Sequence, residues 1–410
     1  MAVGMGLFIA SQVWGFTMLE AFIPGPWAPD ALIAFRPDGI APTDAAAVAQ
    51  FPGVDPHRCE PLVVEQPRLL EDLTHSAERA SVTRQDNVVI VGLHPGRTFG
   101  GEQPLLPLEW VAGTPATAIP LIASGRGCLV PDHFLDETGL KVGDEFSLVP
   151  PESPDHPVEY MIAGAVRLPG WHWQTKLTGF RPRTHRAAAL VFADYETVAH
   201  DFSLPKASHA WISYGLGGAD PDKLSRAAQA LYRDLLQHAV SIGPNPEGGP
   251  SIQVMPVEGI RQFTRGAAKR WIWIISQIPI VALLISSFGV LNVMLAAVRA
   301  RRWEMGVLRS LGFTRSEVVR AVLAEGLLIG ITASVLSLSF GILAGWCGCG
   351  FSQHISFFGG LYPALVIPWG AVAIGLLAVL VLAVLMAVWP AIDIARTRPL
   401  ALLQRGRSSF

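Results

Sequence analysis

Charge is scarce in this sequence: 16% of its 410 residues are acidic or basic, and the formal net charge is −2. That balance offers no basic face to a nucleic acid. Lysine is scarcer still. None of the five lysines follows a glycine, so there is no Walker A loop and the chain is not its own P-loop ATPase. Neither Gly-x-Ser-x-Gly nor His-Glu-x-x-His occurs, and the 11 histidines are scattered without ligand spacing. The four cysteines make no zinc pattern. Cys59 and Cys128 would be able to pair in an oxidising compartment, but their spacing does not show it, and two free buried thiols are the expectation. No metal site, cofactor or catalytic constellation emerges.

What the sequence has instead is long apolar runs. Three exceed the roughly 20 residues that cross a bilayer: Trp271 to Val298, Val318 to Trp346, and Ile367 to Trp389. Trp369 and Trp389 stand about 30 Å apart at the helical rise, one at each interface. The N-terminal MAVGMGLFIASQVWGFTMLEAF is marginal, interrupted by Gln12 and Glu20. No lysine or arginine precedes Arg36, so it lacks the basic start of a signal peptide. We read residues 1–23 as a first membrane helix without its usual cytoplasmic lead-in. The chain is expected either to start late or to be a piece of a larger membrane protein.

Charge sets the orientation. Arg299, Arg301, Arg302, Arg309, Arg315 and Arg320 crowd the connection between the second and third spans, against Glu304 and Glu317. The tail carries Arg396, Arg398, Arg405 and Arg407, while Cys347 to Pro368 has no lysine or arginine. The positive-inside rule places the first two segments in the cytoplasm and the third outside. Residues 24–268 are then extracytoplasmic as well. Arg261, Arg265, Lys269 and Arg270 pull the other way; they are outvoted, and either snorkel or face solvent on a helical stalk.

Residues 24–268 alternate strand-like and helical segments. Asn87–Val91, Glu145–Val149, Glu159–Val166 and Ala188–Phe192 are rich in β-branched and aromatic residues. A helix is expected from Asp220-Pro221, with Leu224, Ala228, Leu231 and Leu235 on one face. This predicts an α/β or α+β domain large enough for its own core. The glycines of 215–220 read as a loop before that helix rather than a phosphate cradle. His172, flanked by Trp171 and Trp173, belongs either to a satisfied cluster or to a contact loop.

In the membrane segment, Gly326, Gly330 and Ser334 recur every four residues, as do Gly341 and Gly345. Such spacing marks helix packing, within the chain or in a dimer, or reflects only the frequency of glycine in membrane helices. Glu325 lies about a turn and a half inside the third span, as an intramembrane charge or an interfacial glutamate held by an arginine. The scarcity of other such charges argues against an ion-coupled transporter.

EMGVLRSLGFTRSEVVRAVLAEGLLIG, from Glu304, resembles the signature of FtsX-like permeases, the membrane subunits of the MacB and LolC/LolE group of ABC transporters. WPAIDIARTRPLALLQ, from Trp389, is similar to that family's ending. GLKVGDEFSLV and GADPDKL resemble parts of the MacB-type periplasmic core domain.

The resemblance implies an α-helical membrane domain of four helices, one N-terminal (1–23) and three in 269–410, around a large α/β (α+β) extracytoplasmic domain (24–268). It implies a non-catalytic permease subunit of the cytoplasmic membrane, dimeric with itself or a homologous permease. ATP and Mg would be bound by a separate ABC-type ATPase, and an extracytoplasmic adaptor or carrier would complete the system. The residues matching the family's ATPase contact are Arg301, Arg302, Glu304, Met305, Arg309, Leu311 and Gly312. ATP binding would move the ectodomain, to export or extract a lipoprotein, lipid, peptide or hydrophobic compound, or to control an extracytoplasmic partner. The alternative is a membrane-anchored scaffold working without ATP. A tethered ectodomain enzyme has no motif behind it.

Overall fold

The computed structural model describes residues 1–20, 23–36, 38–70, 87–171, 189–214, 221–237, 251–353 and 365–397. The 215–220 glycines with the cap at Asp220, His172, and the tail arginines Arg398, Arg405 and Arg407 lie outside these residues. The chain divides into two compact units, the division falling inside one long helix at Gly266/Ala267.

The first unit is built on strands β1 (Ala31–Phe35), β2 (Cys59–Glu65), β3 (Arg68–Leu69), β4 (Val89–Leu93), β5 (Glu109–Ala112), β6 (Gly127–Pro131), β7 (Glu145–Val149), β8 (Val158–Arg167), β9 (Leu190–Asp194), β10 (His209–Ile212) and β11 (Ile252–Pro256). Helix α1 (Ala2–Glu20) precedes them and belongs to the other unit; between the strands run α2 (Pro42–Ala47), α3 (Pro95–Phe99), α4 (Pro115–Ala123), α5 (Asp132–Thr138), α6 (Tyr195–Asp201) and α7 (Pro221–Gln237). The sheet runs β11-β1-β10-β2-β4-β9-β6-β8-β7-β3, with β5 added to β8. It is mixed: β4 and β9 pair in parallel, as do β6 and β8, and the other pairs are antiparallel.

Both faces of the sheet are covered, and the period of two decides which residue goes where. In β4, Val89, Val91 and Leu93 join Phe99 of α3 and Ile122 of α4 on one face. Ile90 turns to the other face, among Phe134, Tyr195 and Val198. Leu224, Ala228, Leu231 and Leu235 of α7 cover Ile33 and Phe35 of β1 in a third cluster. β4 and β9 begin and end about two residues later than composition suggests, because their parallel register, Val89 with Leu190 through Leu93 with Asp194, sets both boundaries. Cys59 and Cys128 are buried free thiols; burial pushes the Cys59 thiol up to about 12.

The second unit contains α1, α8 (Val257–Ala300) from Ala267 onward, α9 (Arg302–Ser310), α10 (Arg315–Gln353) and α11 (Trp369–Arg396). Among the described residues, α1, α8, α10 and α11 are long and apolar enough to cross a membrane. Their outward residues, such as Ile278, Ile285, Leu336 and Ile374, are apolar, as a lipid solvent requires. α1 is held by small residues and by its few polar groups. The Gln12 amide donates to Ser276 Oγ of α8. Trp14 Nε1 donates to Ser352 Oγ of α10 at 2.9 Å, and Thr17 Oγ1 accepts from the Val366 amide at 3.0 Å. Gln12, which interrupts the apolar run in the sequence, is thus buried and bonded rather than facing lipid.

The two glycine pairs of α10 meet different helices. A side-chain carbon at Gly326 would lie 2.6 Å from Ala387 Cβ, and one at Gly330 3.0 Å from Ala383 Cβ, both on α11. At Gly341 it would lie 2.5 Å from Ile9 Cβ and 2.8 Å from the Gly6 carbonyl, and at Gly345 2.8 Å from Val13 Cβ, all on α1. Each glycine is therefore occupied by a contact within the chain.

Candidate functional site

Between α8 and α10 the chain makes one short helix and one tight turn. α9 is amphipathic, and its inner side is anchored: Gly306 is buried, and Met305 packs with Met294, Val298, Val318, Val322 and Ala391. Its arginines are engaged within the unit. Arg301 Nη1 lies 3.4 Å from Glu325 Oε1 on α10. Arg302 Nη2 lies 3.3 Å from Asp393 Oδ2 on α11. Arg309 Nη1 donates to the Thr397 carbonyl at 2.6 Å, capping the end of α11. The Glu325 carboxylate is therefore met by a guanidinium.

α9 ends in a Schellman turn. The Phe313 amide bonds the Leu308 carbonyl at 3.2 Å and the Gly312 amide bonds that of Arg309 at 3.3 Å. Gly312 has φ +104°, a conformation that a side chain would strain. α10 opens on a capping box in which the Thr314 amide donates to Glu317 Oε2 at 2.7 Å. These two devices turn the chain within four residues.

The turn leaves an outward face. Leu311 is 74% exposed, Trp303 56% and Phe313 48%. Glu304 is exposed on the same helix. Of the residues the family resemblance singles out, Glu304 and Leu311 therefore face outward, and Arg301 is also exposed although paired. Met305 is half-buried against the core, Arg302 and Arg309 tie α9 to the bundle, and Gly312 shapes the turn. Trp303 and Phe313 were not singled out by the sequence reading. Their signal was there: large aromatics inside an otherwise arginine-rich connection.

A second chemical cluster lies in the sheet unit. Glu60 of β2 is fully buried, opposite Trp211 of β10. Its Oε1 accepts from the His94 amide at 2.8 Å and contacts His94 Nδ1 at 2.6 Å. Among the described residues Oε2 accepts no hydrogen bond; Arg97 Nε stands 3.9 Å away. The His94 ring stacks on Tyr195 at 5.1 Å and precedes α3, whose Phe99 lines an open groove of about 720 Å³ with Leu106, Leu108, Trp110 and Ile119. The hydrogen bond to Glu60 raises the His94 pKa and its negative charge adds to this, against opposing burial and the Arg97 charge. A raised folded pKa gives stability that is complete below the unfolded value, about 6.5, and is lost as pH climbs through the folded one. The thermal midpoint of the full chain should therefore fall more steeply with rising pH than that of His94→Gln, which donates a bond without titrating. Parallel curves would remove His94 from this role. Among the described residues no cluster of histidine, cysteine and carboxylate side chains forms a metal site.

With this geometry in view, the chain compares directly with known proteins. Residues 277–399 match the FtsX-like permease C-terminal family. The chain is 32% identical over 229 residues to the macrolide export ATP-binding/permease protein MacB of Sodalis glossinidius, covering 56% of this chain and 32% of that protein. It is 31% identical over 154 residues to the uncharacterized ABC transporter permease YknZ of Bacillus subtilis, covering 38% and 36%. The chain thus spans about a third of the length of these relatives. The periplasmic region of MacB from Actinobacillus actinomycetemcomitans aligns with a TM-score of 0.34 at 10% identity, over 58% of this chain and 92% of that one. Four helices long and apolar enough to cross a membrane, with the matched segment spanning residues 277–399, give the chain the features of a multi-pass membrane protein. Residues 277–399 are thus similar to FtsX-like permease C-terminal domains, and the chain is similar over part of their length to MacB and YknZ.

Proposed function

We propose that this chain is the permease subunit of an ABC transporter in the cytoplasmic membrane, non-catalytic itself, which couples ATP hydrolysis by a separate nucleotide-binding subunit to movement of its extracytoplasmic sheet domain. The observation that carries the reading is α9: a short helix anchored on its inner side to three membrane helices, offering Trp303, Leu311 and Phe313 to an aqueous compartment. Apolar side chains kept exposed beside a dense arginine cluster are costly without a partner, and the positive-inside rule supports a cytoplasmic one. The relationship to permeases whose names include ATP binding or ABC transport supports an ATPase as that partner. ATP and Mg belong to it, and a second permease copy or a homologous permease completes the assembly. The driven domain would export or extract a hydrophobic or lipidated cargo, or control an extracytoplasmic adaptor.

Affinity purification of the tagged protein from its native membrane in mild detergent tests this. A stoichiometric nucleotide-binding subunit with ATPase activity is expected. If the chain comes down alone and inert across several detergents, the ATP-independent anchor replaces this reading.

A further inference from the structure

We propose that Lys269 and Arg270, together with Trp271 and Trp273, form a binding face for anionic phospholipid headgroups at the end of α8 opposite α9. The proposal rests on the membrane-span reading above and is independent of the ATPase.

Contacts within the helical unit set the level of this end. Gly15 of α1 closes on Ile272, Trp14 bonds Ser352, and Thr17 bonds Val366. Near that level stand four outward tryptophans: Trp271 and Trp273 on α8, Trp346 on α10 and Trp369 on α11, each more than half exposed. Indoles gathered at one level of an apolar bundle are an interfacial belt. The apolar stretch of α8 follows Trp271 in sequence, so Arg270 and Lys269, which precede it, stand on the headgroup side. Lys269 and Trp273 share a face of the helix, about 6 Å apart along its axis.

Two features distinguish this pair from ordinary snorkelling. Lys269 and Arg270 are exposed and have no ion pair or hydrogen bond among the described residues. Arg261, on the same helix, is by contrast satisfied by the carbonyls of Pro24 and Gly25 and the Glu258 carboxylate. The positive charge is also one-sided. Neither α1, nor α10 after Arg320, nor residues 365–369 carry a lysine or arginine. The positive-inside rule disfavours basic residues on this outer flank, so charge retained here without an internal partner fits a phosphate supplied from outside the chain.

The test uses the full chain in nanodiscs with a minority of lipid brominated near the carbonyl end, carried either by phosphatidylglycerol or by phosphatidylcholine. The fluorescence quenched in wild type but not in a Trp271→Phe/Trp273→Phe variant isolates this face. The expected result is stronger quenching by the anionic lipid, reflecting roughly fivefold local enrichment per basic side chain, that disappears in Lys269→Gln/Arg270→Gln and survives added inorganic phosphate. Equal quenching by both headgroups, or an excess that persists in the double variant, overturns the proposal. An excess erased by inorganic phosphate reassigns the face to free anions and also overturns it. Absence of quenching by either lipid would instead refute the span reading on which it rests.

Discussion

Replacing Trp303, Leu311 and Phe313 together with alanine is expected to release the proposed ATPase subunit while leaving this chain folded. Large apolar side chains at the centre of an interface each contribute about 2 kcal/mol or more, roughly a thirtyfold change in affinity apiece. Their joint removal should weaken association by at least about a hundredfold, allowing for non-additivity. Folding should survive because none of the three belongs to the buried core that anchors α9. The Schellman turn is made by backbone atoms, and the Arg301–Glu325 and Arg302–Asp393 pairs are untouched. Reversing Glu304 should cost less, since an exposed charge at a rim changes association rate and salt dependence more than retention. Co-purification of the ATPase with the triple variant at wild-type stoichiometry would remove α9 as the docking element. Loss of the partner with an unchanged thermal midpoint would establish it.

Gly341→Leu is expected to destabilise the helical unit, whereas Gly350→Leu on the same helix is not. A side chain at Gly341 would run into Ile9 and the Gly6 carbonyl of α1, while nothing stands within 4 Å of one at Gly350. Overpacking a close helix contact costs typically about 1–3 kcal/mol, because one helix must move. α1 is the helix that would move, and the bonds from Gln12 to Ser276 and from Trp14 to Ser352 would be pulled with it. The gain in helix propensity from glycine to leucine is common to both substitutions, so the difference between them isolates the packing cost. Thermal unfolding of the full chain in detergent reads it directly. Equal midpoints for the two variants would show that the close approach is not needed. Gly326→Leu, facing Ala387 on α11, should behave like Gly341→Leu.

How much of this was visible beforehand depends on whether a feature is local. The glycine spacing announced close packing but did not say against what. Residues four apart share a face, yet the upper pair meets α11 and the lower pair α1, because one helix crosses two neighbours. Gln12 read as an interruption of an apolar run and proved to be an interhelical bond. Among the arginines the sequence marked one cluster, whereas the fold separates Arg302 and Arg309, turned toward Asp393 and Thr397, from the outward Trp303, Leu311 and Phe313. Glu60 had no signal at all. Its burial follows from the order of strands in the sheet, and its histidine lies 34 residues away in the chain.

By itself the sequence determined the apolar helices, the charge asymmetry of their connections, the alternation of strands and helices in the intervening domain and the family resemblance. All of these depend on composition and short-range periodicity, which a chain carries before it folds. Only the tertiary structure decided which face of α9 is free, which helices the glycines join and where a buried carboxylate finds its partner. Those depend on contacts between residues far apart in the chain, and no local spacing encodes which distant surface a side chain will meet.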